Sequence, residues 1–61
     1  MSRLQIRRKF SGWYAIVVAG RYRGSIMRDE NRRWEVTIDG ARRGLFPRYR
    51  DAVSAVQGMR L

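Results

Sequence analysis

Neither cysteine nor histidine occurs in this 61-residue sequence, and proline and lysine occur once each, as Pro47 and Lys9. Without cysteine there is no disulfide staple and no thiolate metal site, which suits a reducing compartment and gives a cytoplasmic expectation. Without histidine or cysteine the usual general bases, nucleophiles and transition-metal ligands are missing, and only five scattered carboxylates remain. Asp29, Glu30 and Asp39 fall in turn-like clusters and Asp51 at a helix start, so only Glu35 lies within an apolar alternation. The expectation is a non-enzymatic protein with no metal and no cofactor. Long apolar runs are also lacking. The longest, Trp13 to Ala19, is far too short to span a bilayer, so no membrane partner is expected. The opening "MSRLQIRRKFSGWYAIVVAG" goes from basic to apolar to small as a secretory leader does. It reads instead as a basic arm, residues 1–12, running into a strand, with Leu4 and Ile6 in place to extend the sheet.

Acidic charge is scarce too. Fourteen basic residues, thirteen of them arginine, face five acidic ones and leave a net charge of +9. Such a load repels itself unless an anionic partner relieves it, and a polyanion is the natural choice. A compositional bias toward arginine explains the arginine-to-lysine ratio as well as recognition does. It does not explain the excess of base over acid. Arginine's planar fork suits phosphates and guanine edges better than an ammonium does.

What is present is a repeat. "WYAIVVAGRYRGSI" and "WEVTIDGARRGLF" each open with tryptophan, pass through β-branched residues, turn at a glycine (Gly20, Gly40) and meet a second glycine four positions on (Gly24, Gly44). Ala19-Gly20 and Asp39-Gly40 read as two-residue hairpin turns, the second more strongly, and Asp29-Glu30-Asn31 as the break between hairpins. These signals predict an α+β domain over 13–61: a four-stranded antiparallel meander at about 13–18, 21–28, 32–38 and 41–46. One carboxy-terminal helix follows, introduced by Pro47, striped by Tyr49, Ala52, Val53, Val56 and Met59, and ending near Gly58. Regular two-residue turns would place Trp13, Ala15, Val17, Tyr22, Ile26, Trp34, Val36, Ile38 and Leu45 under the helix. The other face would carry Arg21, Arg23, Ser25, Arg33, Glu35, Thr37 and Arg42 beside Tyr14, Ile16 and Val18. Arg43 and Phe46 resist this scheme unless a bulge near Gly44 exchanges their sides, and both registers remain open.

The candidate site is the arginine-bearing face, Arg21, Arg23, Arg33, Thr37 and Arg42, together with the flanking Arg28, Arg32 and Arg43: a cationic surface about 15–20 Å across and comparable with the DNA major groove, which admits strands. Glu35 is expected to pair with Arg33 or Arg42 across the strands. "GRYRG" and "GARRG" are hairpin glycines rather than phosphate loops, because no strand–loop–helix follows and no G-K-[ST] occurs. Trp13 and Trp34 are assigned to the core in preference to base stacking.

Residues 22–56 also resemble the DNA-binding domain of plant ethylene-response factors and its relatives in phage integrases and homing endonucleases. The shared frame is Tyr22-Arg23-Gly24, then Arg33, Trp34 and Ile38, then Gly44 and Phe46, then Asp51-Ala52. That resemblance implies a three-stranded sheet on a helix, inserted in the major groove, with Arg23, Arg33 and the Arg42/Arg43 pair on bases and phosphates. Ser25, Ile26 and Met27 stand where the plant domains continue with arginines. The functional expectation is a small duplex-DNA-binding accessory regulator of transcription or recombination. The alternatives are RNA binding, with Tyr14 and Tyr49 exposed, and a protein-interaction module or homodimer joined through Ile16 and Val18 on an exposed first strand.

Overall fold

The computed structural model describes residues 3–61. One antiparallel sheet runs in chain order through β1 (Leu4–Phe10), β2 (Trp13–Val18), β3 (Arg21–Arg28), β4 (Trp34–Ile38) and β5 (Ala41–Phe46), and α1 (Tyr49–Gln57) follows. The α+β class and the carboxy-terminal helix match the sequence reading. The strand count does not: the sheet has five strands, because most of the expected basic arm is β1. Leu4 and Ile6 pair with Val18 and Ile16 and pack against the core. The strand beginning at Trp13 is therefore interior, flanked by β1 and β3. Ile16 is fully buried and Val18 half-buried beneath the helix side, so these two residues form no exposed seam for a second copy.

Both expected turns form. Ala19 and Gly20 have φ of 52° and 80°, and Asp39 and Gly40 have 51° and 83°, the two successive left-handed residues that let a two-residue turn follow the twist of its strands. Beyond each turn the ladder continues for two pairs and then slips by one residue. Val17 faces Tyr22 but Ile16 faces Gly24, and Thr37 faces Arg42 but Val36 faces Gly44. Arg23 and Arg43 are the extra residues of two equivalent bulges. The repeat seen in the sequence is thus a repeat of hairpin geometry, bulge included.

The bulges correct the expected faces. Period-two alternation reverses across each slip, so Trp13 pairs with Met27 and Tyr14 with Ile26. Tyr14, Ile16 and Val18 turn toward the helix, and Trp13, Ala15 and Val17 turn away. In β5 the same device leaves Arg42 outward opposite Thr37, makes Arg43 the extra residue, brings Phe46 to the core side and sends Leu45 outward, which settles the register left open by the sequence. The gain is hydrophobic. Ile16, Ile26, Val36 and Ile38 meet Ala52 and Val56 in one buried cluster, and each large aliphatic side chain contributes about 1.5–3 kcal/mol on burial.

The helix packs chiefly across β4 and β5. Its first turn begins after Pro47, with extended Arg48 as the cap residue and Asp51 placed favourably against the dipole. Gly58 ends it, donating its N–H to the Ser54 and Ala55 carbonyls. At the amino-terminal end of α1, Tyr49 lies 4.4 Å from Tyr14 and 5.2 Å from Trp34 between ring centroids, closing the seam between helix and sheet. Burial there raises the Tyr49 phenol pKa above its ordinary value. Tyr14 and Tyr49 are consequently core aromatics and not the exposed pair that RNA binding would require.

Candidate functional site

Among the described residues no element covers the face of the sheet away from α1, and the register arranges its side chains in rows. The middle row is Arg7, Ala15, Ser25, Thr37 and Arg42, from β1 to β5. Strand spacing places its two arginines about 19 Å apart. Ala15 and Ser25, small residues flanked in the register by larger ones, are buried, so this row forms the floor of a shallow trough with a cation at each end. To one side runs Phe10, Trp13, Met27, Glu35 and Leu45; to the other, Gln5, Val17 and Tyr22. Four of these are exposed large apolar residues: Phe10 (66%), Tyr22 (60%), Met27 (42%) and Leu45 (37%). Phe10, Met27 and Leu45 thus form an exposed apolar row edged by charge, with Tyr22 across the trough from them.

Side-chain hydrogen bonds hold part of the trough in place. Gln5 Oε1 accepts from Arg7 Nε at 3.0 Å and Nη2 at 2.6 Å. Glu35 pairs with Arg42, one of its two expected partners, at a long 3.5 Å that leaves the guanidinium largely available. A tighter contact lies at the end of the sheet where both two-residue turns sit. Arg23 donates Nε to Asp39 Oδ1 at 3.1 Å and Nη2 to Oδ2 at 2.9 Å, a two-pronged fork. These hydrogen bonds hold the Asp39 carboxyl below the usual carboxylate range. Its stabilising effect is therefore present above the ordinary aspartate pKa and is lost as pH falls through the lowered one; full solvation and screening keep the effect small.

The residues singled out from the sequence do not share one face. Thr37 and Arg42 lie in the trough. Arg23 and Arg43 are the bulge residues, and Arg21 follows the first turn opposite Val18, so these three gather with Arg42 and Asp39 at the turn-bearing rim. Arg28 and Arg33 are at the opposite end: Arg28 pairs with Trp34 on the helix side, and the Arg33 N–H is bound by the Asp29 carboxylate at 2.8 Å within the β3–β4 loop. Sequence reasoning missed Arg7, Phe10, Trp13, Met27 and Leu45. The alternation of Leu4 and Ile6 announces β1 and hence Arg7; Trp13, Met27 and Leu45 depend on the two hairpin bulges, which only the twin glycines hint at, and Phe10 on a separate register shift between Arg8 and Phe10.

On the helix side, a cleft of about 630 Å³ opens beside β1, lined by Leu4, Ile6, Val18, Val53, Met59 and others, with Arg3 also on its wall. Among the described residues no cluster of acids could hold a metal ion, and no helix is long and apolar enough to cross a membrane. Compared with protein families, curated proteins and solved structures, the chain matches none.

The Asp39 carboxylate is the one acid on the rim, and it occupies a fork that would otherwise face solvent. Asp39→Asn keeps a residue tolerant of left-handed φ at the turn while removing the charge. The variant should fold normally by circular dichroism; where a polyanion contacts this rim, the change should tighten its binding severalfold and steepen the log–log salt slope by up to about 0.9.

Proposed function

We propose that this chain is a small non-enzymatic nucleic-acid-binding protein that lays its open sheet face and turn-bearing rim against duplex DNA. The observation that supports this most directly is the rim itself, where Arg21, Arg23, Arg42 and Arg43 gather beside an uncovered face with Asp39 as their acidic neighbour. Phosphates engaging these arginines and Arg7 would supply most of the affinity, and one or two guanidinium groups reading guanine edges would supply selectivity. A role as accessory regulator of transcription or recombination accords with such a partner. About five phosphate contacts correspond to a slope of log K against log salt near −4 to −5, measured by fluorescence anisotropy on a duplex. A slope near zero would refute the proposal, and competition among duplex DNA, RNA and heparin ranks the polyanions.

A second reading is favoured by the exposed strip of Phe10, Met27 and Leu45: a docking face for another protein or for a second copy of this chain. Sedimentation over a wide concentration range separates the two, because a dimer closed over this face buries Arg7 and Arg42 and loses nucleic-acid binding as concentration rises.

A further inference from the structure

We infer that the Phe10–Trp13 pair is a stacking platform for an unpaired nucleobase, so that the chain prefers nucleic acid containing single-stranded nucleotides to a continuous duplex. This rests on the nucleic-acid reading above and sharpens it. The two rings lie nearly parallel, 17° apart with centroids 5.4 Å apart, and Phe10 remains two-thirds exposed, so its outer surface is free to receive a flat partner. Phe10 gains nothing from the core; it extends the apolar surface of Trp13 outward. Met27 and Leu45 continue the same row across β3 and β5, and both are exposed.

The identity of the occupant follows from what lies alongside. Arg7 and Arg42 end the adjacent row, which on β2 lies two residues from Trp13, at Ala15, and so about 7 Å away; Arg7 shares its strand with Phe10, whereas Arg42 is three strands from Trp13, about 14 Å across the sheet. The surface therefore asks for a ligand with a flat apolar face on one side and negative charge a short distance to the other. An unpaired nucleotide has that form, whereas a continuous duplex keeps its base faces stacked inside. A second copy of this chain would satisfy the apolar strip but bring Arg7 and Arg42 against their own kind in molecules of net charge +9. Glu35 is the one acid in the apolar row, and it lies toward β5, two strands from Trp13.

The test compares a blunt duplex, the same duplex with a single-stranded tail, and the tail alone. The tailed duplex should bind about tenfold more tightly than the blunt one. Phe10→Ala and Phe10→Leu should both abolish that difference, bringing the tailed duplex to the affinity of the blunt one; the leucine variant keeps an apolar side chain and guards against a folding artefact. Tryptophan fluorescence should be quenched by the tail in the native protein and far less in Trp13→Phe. Equal affinity for blunt and tailed duplexes, or a tail preference that survives Phe10→Leu, would overturn the inference while salt-dependent duplex binding left the broader reading intact. Absence of binding to all three would overturn both.

Discussion

Gly24→Ala is expected to leave the protein largely unfolded at room temperature. A Cβ built on Gly24 would lie 1.9 Å from the Thr37 carbonyl oxygen and 2.9 Å from its carbon. Those are backbone atoms of the paired strand, so relief requires β3 and β4 to separate where Gly24 faces Ile38, beside the Arg23 carbonyl that accepts from the Asp39 N–H. Overpacking that a side chain can absorb costs about 1–3 kcal/mol; a collision with the ladder itself costs more. A chain of this length has a total stability of about 3–9 kcal/mol, so little or none would remain. The equivalent glycine of the other hairpin provides the control. A Cβ on Gly44 meets only the ring of Phe46, at 2.8 Å, and a ring can move. Gly44→Ala should therefore stay folded, with a loss of about 1–2 kcal/mol. Urea denaturation followed by circular dichroism measures both; a Gly24→Ala variant as stable as Gly44→Ala would contradict the close strand contact.

The same two glycines mark the boundary of what could be read without coordinates. Strand limits, turns and helix end were legible because each has a local cause: positive φ at Asp39-Gly40, β-branched runs, and a helical stripe from Tyr49 to Met59. Which face each strand buries was not legible, because it depends on whether one residue, Arg23 or Arg43, is skipped in a ladder. A bulge has no strong signature of its own, and it is chosen by the sum of packing across five strands. For β2 the sequence offers two interchangeable sets, Trp13-Ala15-Val17 and Tyr14-Ile16-Val18. Both are apolar enough to be core, and only the second shares the face of Ile26 and Val36 and buries Ile16 with them. The consequence for the site was large. The arginines divide between a rim and the far end, and the aromatic residue that β2 presents on the open face is Trp13 rather than Tyr14. β1 was half legible: Leu4 and Ile6 alternate, but the basic residues after them read equally well as a solvated arm.

That division of the arginines yields the second large effect. Replacing Arg21, Arg42 and Arg43 together by glutamine should weaken duplex binding about 500-fold at 0.1 M salt, because each phosphate contact releases close to one counterion and contributes roughly eightfold at that concentration. The log–log salt slope should shrink by about 2.7. Replacing Arg28, Arg33 and Arg48 instead removes the same three charges from the same total of +9, but from the other end of the sheet and the approach to the helix. If binding were a response to net charge alone, the two triple variants would behave alike. If the rim is the contact, the second variant should lose less than tenfold and keep most of its slope. All six side chains are exposed, so neither variant should disturb the core, and matching melting curves would show that the comparison is fair. The comparison also separates two groupings of the same residues: linear alternation puts Arg33 with Arg21 and Arg42, whereas the bulged register separates them by the length of the sheet. Equal losses from the two variants would return the arginines to the role of diffuse charge and leave the rim without a special part in binding.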